Sequence, residues 1–222
     1  SGLPIRESDG LAAAGRRLLE LINGLLEMAK MEAGKAQVKV RPVDLRTLAE
    51  TQLALMRPMA DKRGVDLRLE SEGELPTIFT DAGKLQQVLF NLLSNAVKFT
   101  ADAADEARAG AMAREALDAS TAFAPPRPAL VILRVEHLLP SAPPEMQRVR
   151  LSVLDTGPGI ASADQKRIFE KFTQLDSGIT RRHAGTGLGL YICKQLTTLL
   201  QGEIMVESEI GRGAMFSVVL PV

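Results

Sequence analysis

Several residue types are scarce in this chain of 222 residues, and each scarcity excludes a class of protein. Cys193 is the only cysteine, so a disulfide framework is impossible and a reducing, cytoplasmic compartment is expected. The 27 acidic and 27 basic residues balance, which excludes the basic footprint of a nucleic-acid-binding protein. No apolar run reaches the roughly 18 residues that suggest a membrane span, so we expect no membrane contact by this chain. The two histidines, His137 and His183, lie in different segments without the neighbours typical of a zinc site.

The first strong pattern is helical and lies in "LAAAGRRLLELINGLLEMAKMEAGK". Its apolar residues recur at helical spacing and form an unusually wide stripe, which predicts more than one helical neighbour, as in a bundle. The alternative is a helix that lies on its own domain. Gly34 is expected to end the helix. The stripe consists of Leu18, Leu21, Ile22, Leu25, Met28 and Ala29, widened by Leu19, Leu26 and Met31.

Strands and helices mix after Gly34, which favours an α/β sandwich with helices on one face of a sheet that contains antiparallel neighbours. We predict strands in "QVKVRPVDL", "VDLRLES", "ALVILRVEHL" and "VRLSVLD", and a closing hairpin of "EIMVESE" and "AMFSVVLP" across "IGRG". Helices are predicted over about 45–62, 82–98 and 188–200, the second capped by Asp81. Residues 101–128 are Ala-rich and charged and end in "APPRP", which predicts a surface insertion with some helix.

The predicted helix 82–98 carries an unusual polar face. Asn95 and Lys98 fall within about 40° of Asn91 at 100° per residue, although asparagine is a poor helix former. The neighbouring sector is apolar and must face the core. Amide oxygens suit Mg²⁺ and a lysine suits phosphate, so the face is a candidate ligand site, with a merely solvated polar face as the alternative. The core sector consists of Leu85, Val88, Leu89, Leu92, Ala96 and Phe99.

Two glycine-rich segments add to this face. In "LDTGPGI", 154–160, an acidic residue closes a strand before a glycine turn, where a carboxylate can accept from an exocyclic amine and glycines admit a flat ligand. A simple turn is the alternative. In "AGTGLGLYICKQL", 184–196, a glycine-rich loop opens a helix, whose free amides favour anions. A dinucleotide-binding loop is excluded because the spacing is not G-x-G-x-x-G and no strand precedes it, and no P-loop sequence occurs.

Taken in order, these motifs resemble the catalytic domain of sensor histidine kinases from two-component systems. "KLQQVLFNLLSNAVKFT" is similar to the family's N box, "DTGPGI" and "GTGLGL" to its two glycine boxes, and "FEKFTQ" to its F box. Residues 1–36 resemble the second helix of the dimerisation and phosphotransfer hairpin, and residues 37–222 the catalytic ATP-binding domain. The resemblance implies an α+β fold: the two-layer α/β sandwich of the histidine-kinase and gyrase-type ATPases, preceded by a long helix.

The resemblance also implies the site. Asn95 would be the principal Mg²⁺ ligand, Asn91 would assist, and Lys98 would contact the phosphates of ATP. Asp155 would accept the adenine amino group, beside two glycines. The other implied ATP-binding residues flank the base, wall the pocket, form the lid over roughly 172–187 or face the phosphates. They are Gly157, Gly159, Phe99, Ile160, Phe172, Arg181, Arg182, Gly185, Thr186, Gly187, Leu188 and Gly189. Solvated loop charges are the alternative for the two arginines.

Three functions follow as expectations. The first is a histidine protein kinase that binds Mg-ATP and passes the γ-phosphate to a histidine outside this chain, for relay to a response-regulator aspartate. Its partners would be the parent kinase's phosphotransfer hairpin, a receiver domain and, in the full-length protein, a second copy. The family's acceptor context, similar to H-E-L-R-T-P, does not occur here, so we expect a fragment of a longer kinase. The second is a degenerate binding module. The third, a hydrolytic ATPase, is disfavoured because Asn91 stands where hydrolytic relatives carry a glutamate base.

Overall fold

A computed structural model of the chain describes residues 28–71, 73–115, 128–138, 141–174 and 186–222, together with positions 15, 18, 22 and 24–26 of the first helix. The described positions between 15 and 32 are helical. Gly34 follows with a φ of +64°, the left-handed conformation that glycine adopts most readily. Hydrogen bonds from Gly34 N to Met31 O and from Lys35 N to Lys30 O close the helix end, as predicted. We refer to this element as the N-terminal helical segment.

The strands form one large sheet and one small one. In the five-stranded sheet the order is β2-β4-β5-β7-β6, in which β2 and β4 are parallel and every other pair is antiparallel. The remaining strands, β1 and β3, form a separate antiparallel pair. The strands are β1 (Arg41–Asp44), β2 (Asp66–Ser71), β3 (Thr77–Thr80), β4 (Leu130–Leu138), β5 (Arg148–Asp155), β6 (Glu203–Glu209) and β7 (Gly213–Pro221).

Three helices pack against the large sheet and against one another: α1 (Leu45–Lys62), α2 (Ala82–Glu115) and α3 (Gly189–Leu199). Alternate residues of β4, namely Val131, Leu133 and Val135, are fully buried, while their neighbours are half-buried. That alternation is the pattern of a sheet that packs one face on a helical layer. The predicted two-layer sandwich with a mixed sheet is therefore confirmed.

The helix starts agree with their sequence signals. Asp44 caps α1, because its side chain accepts a hydrogen bond from Thr47 N at 2.7 Å. Asp81 Oδ1 accepts from Lys84 N at 3.1 Å, which is the predicted N-cap contact of α2. The second oxygen of Asp81 accepts from Lys39 N at 2.8 Å. The start of α2 is thus tied to the chain that leaves the N-terminal helical segment.

The sequence analysis placed the end of one helix wrongly and missed one strand. The helix expected to end near residue 98 continues to Glu115, so the first half of the predicted insertion extends α2. The extension has no proline and is rich in alanine, which has the highest helix propensity, so nothing in it breaks the helix. The sequence analysis also missed β3, a strand of only four residues that pairs with β1. The division of the chain at residues 36 and 37 stays a prediction.

The N-terminal helical segment has two different faces. Its buried Gly24 lies against α3, where an added Cβ would be 3.4 Å from Leu188 Cδ1 and 3.5 Å from Ile192 Cδ1. Met28 and Met31 pack on the core from the same side. Apolar side chains elsewhere on the segment are exposed, namely Leu18, Ile22, Leu25 and Leu26. The wide apolar stripe therefore packs on α3 and the core on one side and exposes apolar side chains on the other.

Candidate functional site

The polar face of α2 lies where the sequence predicted it. Asn91, Asn95 and Lys98 are half-buried. Four apolar neighbours on the same turns are almost fully buried: Leu92, Leu93, Ala96 and Val97. Half-buried amide and ammonium groups outside the core can contact a ligand at little cost in stability.

Phe99 departs from the prediction that it faces the core. It is half-buried, and the Lys98 Nζ lies 5.2 Å from the centroid of its ring. That distance is within the range of a cation–π contact. Phe99 is therefore not a core residue, and its ring helps to position the Lys98 ammonium. The pocket-wall role that the resemblance implied for Phe99 stays a prediction.

Asp155 ends β5 with its carboxylate turned back on its own loop. Oδ1 accepts hydrogen bonds from Gly157 N at 2.8 Å and from Ala214 N at 3.3 Å. Both bonds that Asp155 accepts from the described part of the chain end on Oδ1, so Oδ2 is available to an outside donor. Burial raises the pKa of Asp155 to about 6, against the opposing effect of the two hydrogen bonds. A carboxylate that is already oriented and poorly hydrated is suited to a single directed hydrogen bond.

The loop after Asp155 is pressed between α2 and the turn that joins β6 to β7. A Cβ on Gly157 would lie 2.8 Å from Asp155 Oδ1 and 3.5 Å from the backbone at Phe99 and Thr100. Gly159 has a φ of +75°, and a Cβ there would lie 2.0 Å from Glu209 O. Gly157 is therefore required by the Asp155 carboxylate, and Gly159 by the backbone at Glu209 and by its left-handed conformation.

The second glycine box precedes α3. Gly187 has a φ of +70°, and Thr186 Oγ1 accepts a hydrogen bond from Leu188 N at 3.2 Å. Leu188 is buried and caps α3, whose first residue is Gly189, so the free amides of the helix start face this loop. Phe172 begins the predicted lid and is exposed. The lid residues Arg181, Arg182 and Gly185 lie outside the described residues.

A cavity of about 940 Å³ adjoins the loop after Asp155. It brings together Gly157, Gly159 and Ile160 from the predicted site with Thr100 at the end of the N box. The predicted site residues that do not line it include Asn91, Asn95, Lys98, Phe99, Asp155 and Gly187. Its opposite wall is the second half of α2, with Ala103, Ala104, Glu106 and Ala107. The sequence analysis missed that wall because it ended the helix at residue 98. The alanine-rich composition was the signal that could have extended it.

Metal binding here would depend on amide oxygens. The described residues hold no cluster of three or more His, Cys, Asp or Glu side chains that could bind a metal ion. Asn91 and Asn95 supply hard oxygen donors on one half-buried face, which fits Mg²⁺ when a ligand and water complete its shell. His137 lies in β4, where its Nε2 contacts Gln147 Oε1 at 3.1 Å, and His183 lies outside the described residues.

A model of the "Histidine kinase-, DNA gyrase B-, and HSP90-like ATPase" family matches residues 80–222, which include all of these loops. The chain belongs to this family. Its matched region begins at the end of β3 and includes the whole of the N-box helix, both glycine boxes and the last four strands of the large sheet. The resemblance found in the sequence is thus confirmed, and so is the fold class. Within the described residues, no helix has the length and apolarity needed to cross a bilayer.

Curated relatives of this family domain are sensor histidine kinases. The chain is 37% identical over 210 residues to the circadian input-output histidine kinase CikA of Synechococcus elongatus, which covers 94% of this chain and 24% of that protein. It is 39% identical over 207 residues to the sensor histidine kinase AruS of Pseudomonas aeruginosa, which covers 93% and 18%. The chain therefore spans a quarter or less of these relatives' lengths.

Solved structures share the arrangement. Full-length ShkA in complex with AMPPNP is 31% identical with a TM-score of 0.73, and the match covers 100% of this chain and 40% of that one. The histidine kinase ThkA in complex with the response regulator TrrA is 19% identical with a TM-score of 0.68 and covers 100% and 53%. At that identity, ThkA supports the fold alone.

Proposed function

We propose that this chain is the ATP-binding catalytic region of a sensor histidine kinase, which passes the γ-phosphate of Mg-ATP to a histidine outside the chain. The observation that carries the proposal is the pairing of two sites on one fold. An oriented, poorly hydrated carboxylate at Asp155 lies at the end of β5, and two asparagines and a lysine lie on one half-buried face of α2. A ligand that joins an amine-bearing base to charged phosphates needs both the carboxylate and the polar face of α2.

The adenine end is assigned to the loop after β5. Asp155 Oδ2 would accept from the 6-amino group, and the ionised form of the carboxylate is the one that accepts best. Gly157 and Gly159 would leave the face of the base free of side-chain atoms. Ile160, which packs on the core, and Phe99 would supply apolar walls. The base would thus lie in a flat, apolar pocket with one hydrogen-bond acceptor, an arrangement typical of small-molecule sites.

The phosphate end is assigned to α2 and the second glycine box. Asn95, with Asn91 assisting, would hold Mg²⁺, which when bound neutralises phosphate charge. Lys98 would contact the phosphates, and the amides at Gly187 and Gly189, on either side of Leu188, would meet them at the start of α3. Thr186 holds the Leu188 amide through its hydroxyl and so shapes this loop. Arg181, Arg182, Gly185 and Phe172 remain proposed lid residues.

Transfer to a protein is favoured over hydrolysis by Asn91. An amide has no basic lone pair and cannot take a proton from water, so the position used by hydrolytic relatives for a general base is inactive here. The accepting group must then be nucleophilic without help from a general base at position 91. A neutral imidazole nitrogen meets that requirement near neutral pH. The γ-phosphorus would break its bond to the bridging oxygen and form one to that nitrogen.

The partners are proposed from the exposed side of the N-terminal helical segment. Leu18, Ile22 and Leu26 are 58%, 44% and 54% exposed, which suits a helix that completes a bundle. The bundle would contain the acceptor hairpin and a second copy of the protein, as in the full-length kinase that the relatives' lengths imply. A response-regulator receiver domain would take the phosphoryl group, and the reaction would take place in the cytoplasm.

Labelling with γ-³²P-ATP tests the proposal directly. The chain alone should bind ATP and acquire no stoichiometric label, because the sequence around neither His137 nor His183 resembles the family's acceptor H-E-L-R-T-P. Addition of a separately made phosphotransfer hairpin of the parent kinase should give an acid-labile label on the hairpin's histidine. Rapid labelling of the isolated chain would contradict the assignment, and His183→Ala would then identify the residue. Tight ATP binding without transfer to any hairpin would favour a degenerate binding module.

A further inference from the structure

The side chain of Ser208, near the end of β6, bridges two peptide groups. Its Oγ accepts a hydrogen bond from Ile160 N at 2.8 Å and donates to Gly213 O at 2.7 Å. A hydroxyl has one proton and two lone pairs, so it can make both bonds at once. Ser208 therefore links the loop after β5 to the first residue of β7.

The same peptide group continues the connection to Asp155. The carbonyl of Gly213 and the N–H of Ala214 belong to one planar unit, and that N–H donates to Asp155 Oδ1 at 3.3 Å. Ser208, Ala214 and Asp155 lie abreast on three neighbouring strands, because Ala214 pairs with Ser208 on one side and with Asp155 on the other. A continuous hydrogen-bond chain thus runs from Ile160 N through Ser208 Oγ and the 213–214 peptide to the carboxylate.

A second tie supports the same loop. Gln165 Nε2 donates to Ser208 O at 2.8 Å and to Ile160 O at 3.1 Å. Both polar groups of Ile160's backbone are therefore held by residue 208, its N–H directly and its carbonyl through Gln165. The peptide at Gly213 is held just as closely, since a Cβ there would lie 1.9 Å from Asp155 O. The loop and the carboxylate have little room to move independently.

We propose that Ser208 is a positioning residue for base recognition, which orients the Asp155 carboxylate and the Ile160 backbone together for the exocyclic amine of adenine. The inference rests on the proposed function, in which Asp155 accepts from that amine. Each bond in the chain polarises the next, so donation from Ser208 to Gly213 O strengthens the Ala214 N–H as a donor. Without the hydroxyl, Gly213 O and Ile160 N both lose their partner, and the carboxylate loses part of its support.

The ratio of the affinities for two nucleotides, with and without the 6-amino group, distinguishes a positioning role of Ser208 from a purely structural one. The two probes are ATP and purine riboside triphosphate, which lacks the 6-amino group. Wild-type protein should bind ATP more tightly than the analogue. Ser208→Ala should weaken ATP binding by about tenfold, the cost of one lost hydrogen bond, and weaken analogue binding less than about twofold. Ser208→Thr keeps the hydroxyl and should restore discrimination.

Two further variants keep the test decisive. Ser208→Cys preserves the shape with a weaker donor and should lose part of the discrimination, even if the alanine variant does not fold. Ser152→Ala is the matched control, since the Ser152 hydroxyl bonds the Ser217 hydroxyl at 2.9 Å in the same sheet, outside the chain from Ile160 to Asp155. It should lower stability without changing the ratio of the two affinities.

The outcomes separate this inference from the proposed function. Preference for ATP in the wild type with an unchanged ratio in Ser208→Ala and Ser208→Cys would overturn the role of Ser208 alone. Equal affinity of the wild type for both nucleotides would overturn the adenine assignment of Asp155, and this inference with it. An equal loss of affinity for both nucleotides in the Ser208 variants would also overturn it, because that pattern reports general damage to the loop.

Discussion

Gly187 and Phe172 meet through their backbones, each in the left-handed region. Phe172 has a φ of +59° and Gly187 a φ of +70°. A Cβ on Gly187 would lie 2.8 Å from the carbonyl carbon of Phe172 and 2.9 Å from its Cα. The start of the proposed lid and the proposed phosphate loop are therefore packed so closely that only glycine fits at position 187.

Gly187→Ala should consequently disturb both segments. Alanine would add the cost of left-handed backbone, about 1–3 kcal/mol, and would also displace the Phe172 backbone. We expect a lower free energy of unfolding in urea and a loss of ATP affinity of at least tenfold by calorimetry, since the loop amides would move.

Gly64→Ala is the matched control for that variant. Gly64 has a φ of +65°, yet a Cβ there would meet nothing within 4 Å, and the residue follows the end of α1, outside the segments proposed to contact ATP. It should lose about 1 kcal/mol of stability through backbone strain alone, with ATP affinity unchanged. Equal stability losses in the two variants, with ATP binding intact in both, would show that the contact with Phe172 is unimportant.

The sequence predicted the parts of the site that depend on short-range pattern. Helical spacing located the polar face of Asn91, Asn95 and Lys98 on α2, because a 3.6-residue period separates the buried sector from the exposed one. The strand end at Asp155 followed from an apolar run that stops at an acidic residue and a glycine turn. Four ordered motifs then specified the family, which no single motif could do.

Long-range contacts escaped sequence reasoning. Alternation and turn signals do not indicate that Ser208 Oγ, 48 residues after Ile160, accepts from its amide. The end of α2 was also wrong, because a charged alanine-rich segment is compatible with either a loop insertion or more helix. Only the packing of α2 along the cavity beside Gly157 decides between them. Strand β3 was too short for its alternation to be distinguished from a loop.

Asp155→Asn should weaken ATP binding strongly. Gly157 N and Ala214 N would draw the amide oxygen to the place of Oδ1, so the amide NH₂ would face the adenine amine, donor against donor. We expect a loss of about 2 kcal/mol or more, roughly thirtyfold in affinity, by calorimetry. The charge control is Asp66→Asn, an exposed carboxylate of β2 that pairs with Arg68, and it should leave affinity unchanged. Wild-type affinity in the Asp155→Asn variant would rule out the adenine contact.

The same substitution should stabilise the nucleotide-free protein at neutral pH. The folded pKa of Asp155 is about 6, above its ordinary 3.8, so the folded state holds a proton that the unfolded chain has lost between those values. This contribution to stability is complete below about pH 4 and is lost as the pH rises through about 6. The ionised, buried carboxylate then costs about 3 kcal/mol, at 1.36 kcal/mol per pKa unit.

Asparagine at position 155 has no such titration. The difference in unfolding free energy between the Asp155→Asn variant and the wild type should therefore be near zero at about pH 4 and grow to about 3 kcal/mol in the variant's favour near pH 8. Urea unfolding without nucleotide, at a series of pH values, measures it. A difference that stays constant with pH would mean that burial does not raise the pKa of Asp155.

Asn95→Ala should separate metal-dependent binding from folding. Asn95 is half-buried on the polar face of α2, while the core positions Leu92 and Ala96 on the same turns are buried. Alanine is a better helix former than asparagine, so the helix should form at least as well. Calorimetry with ATP should show a large affinity gain on addition of Mg²⁺ in the wild type and little gain in the variant.

Gln86→Ala is the matched control for the metal assignment. Gln86 is also a half-buried amide of α2. It precedes Asn91 by five residues and therefore points about 140° away from Asn91 around the helix axis. Its removal should leave the Mg²⁺-dependent gain intact. If Asn95→Ala keeps that gain as well, Asn95 is not the principal Mg²⁺ ligand. If circular dichroism instead shows that Asn95→Ala is unfolded, Asn95 supports the helical layer, and the ligand role proposed for the polar face of α2 is wrong.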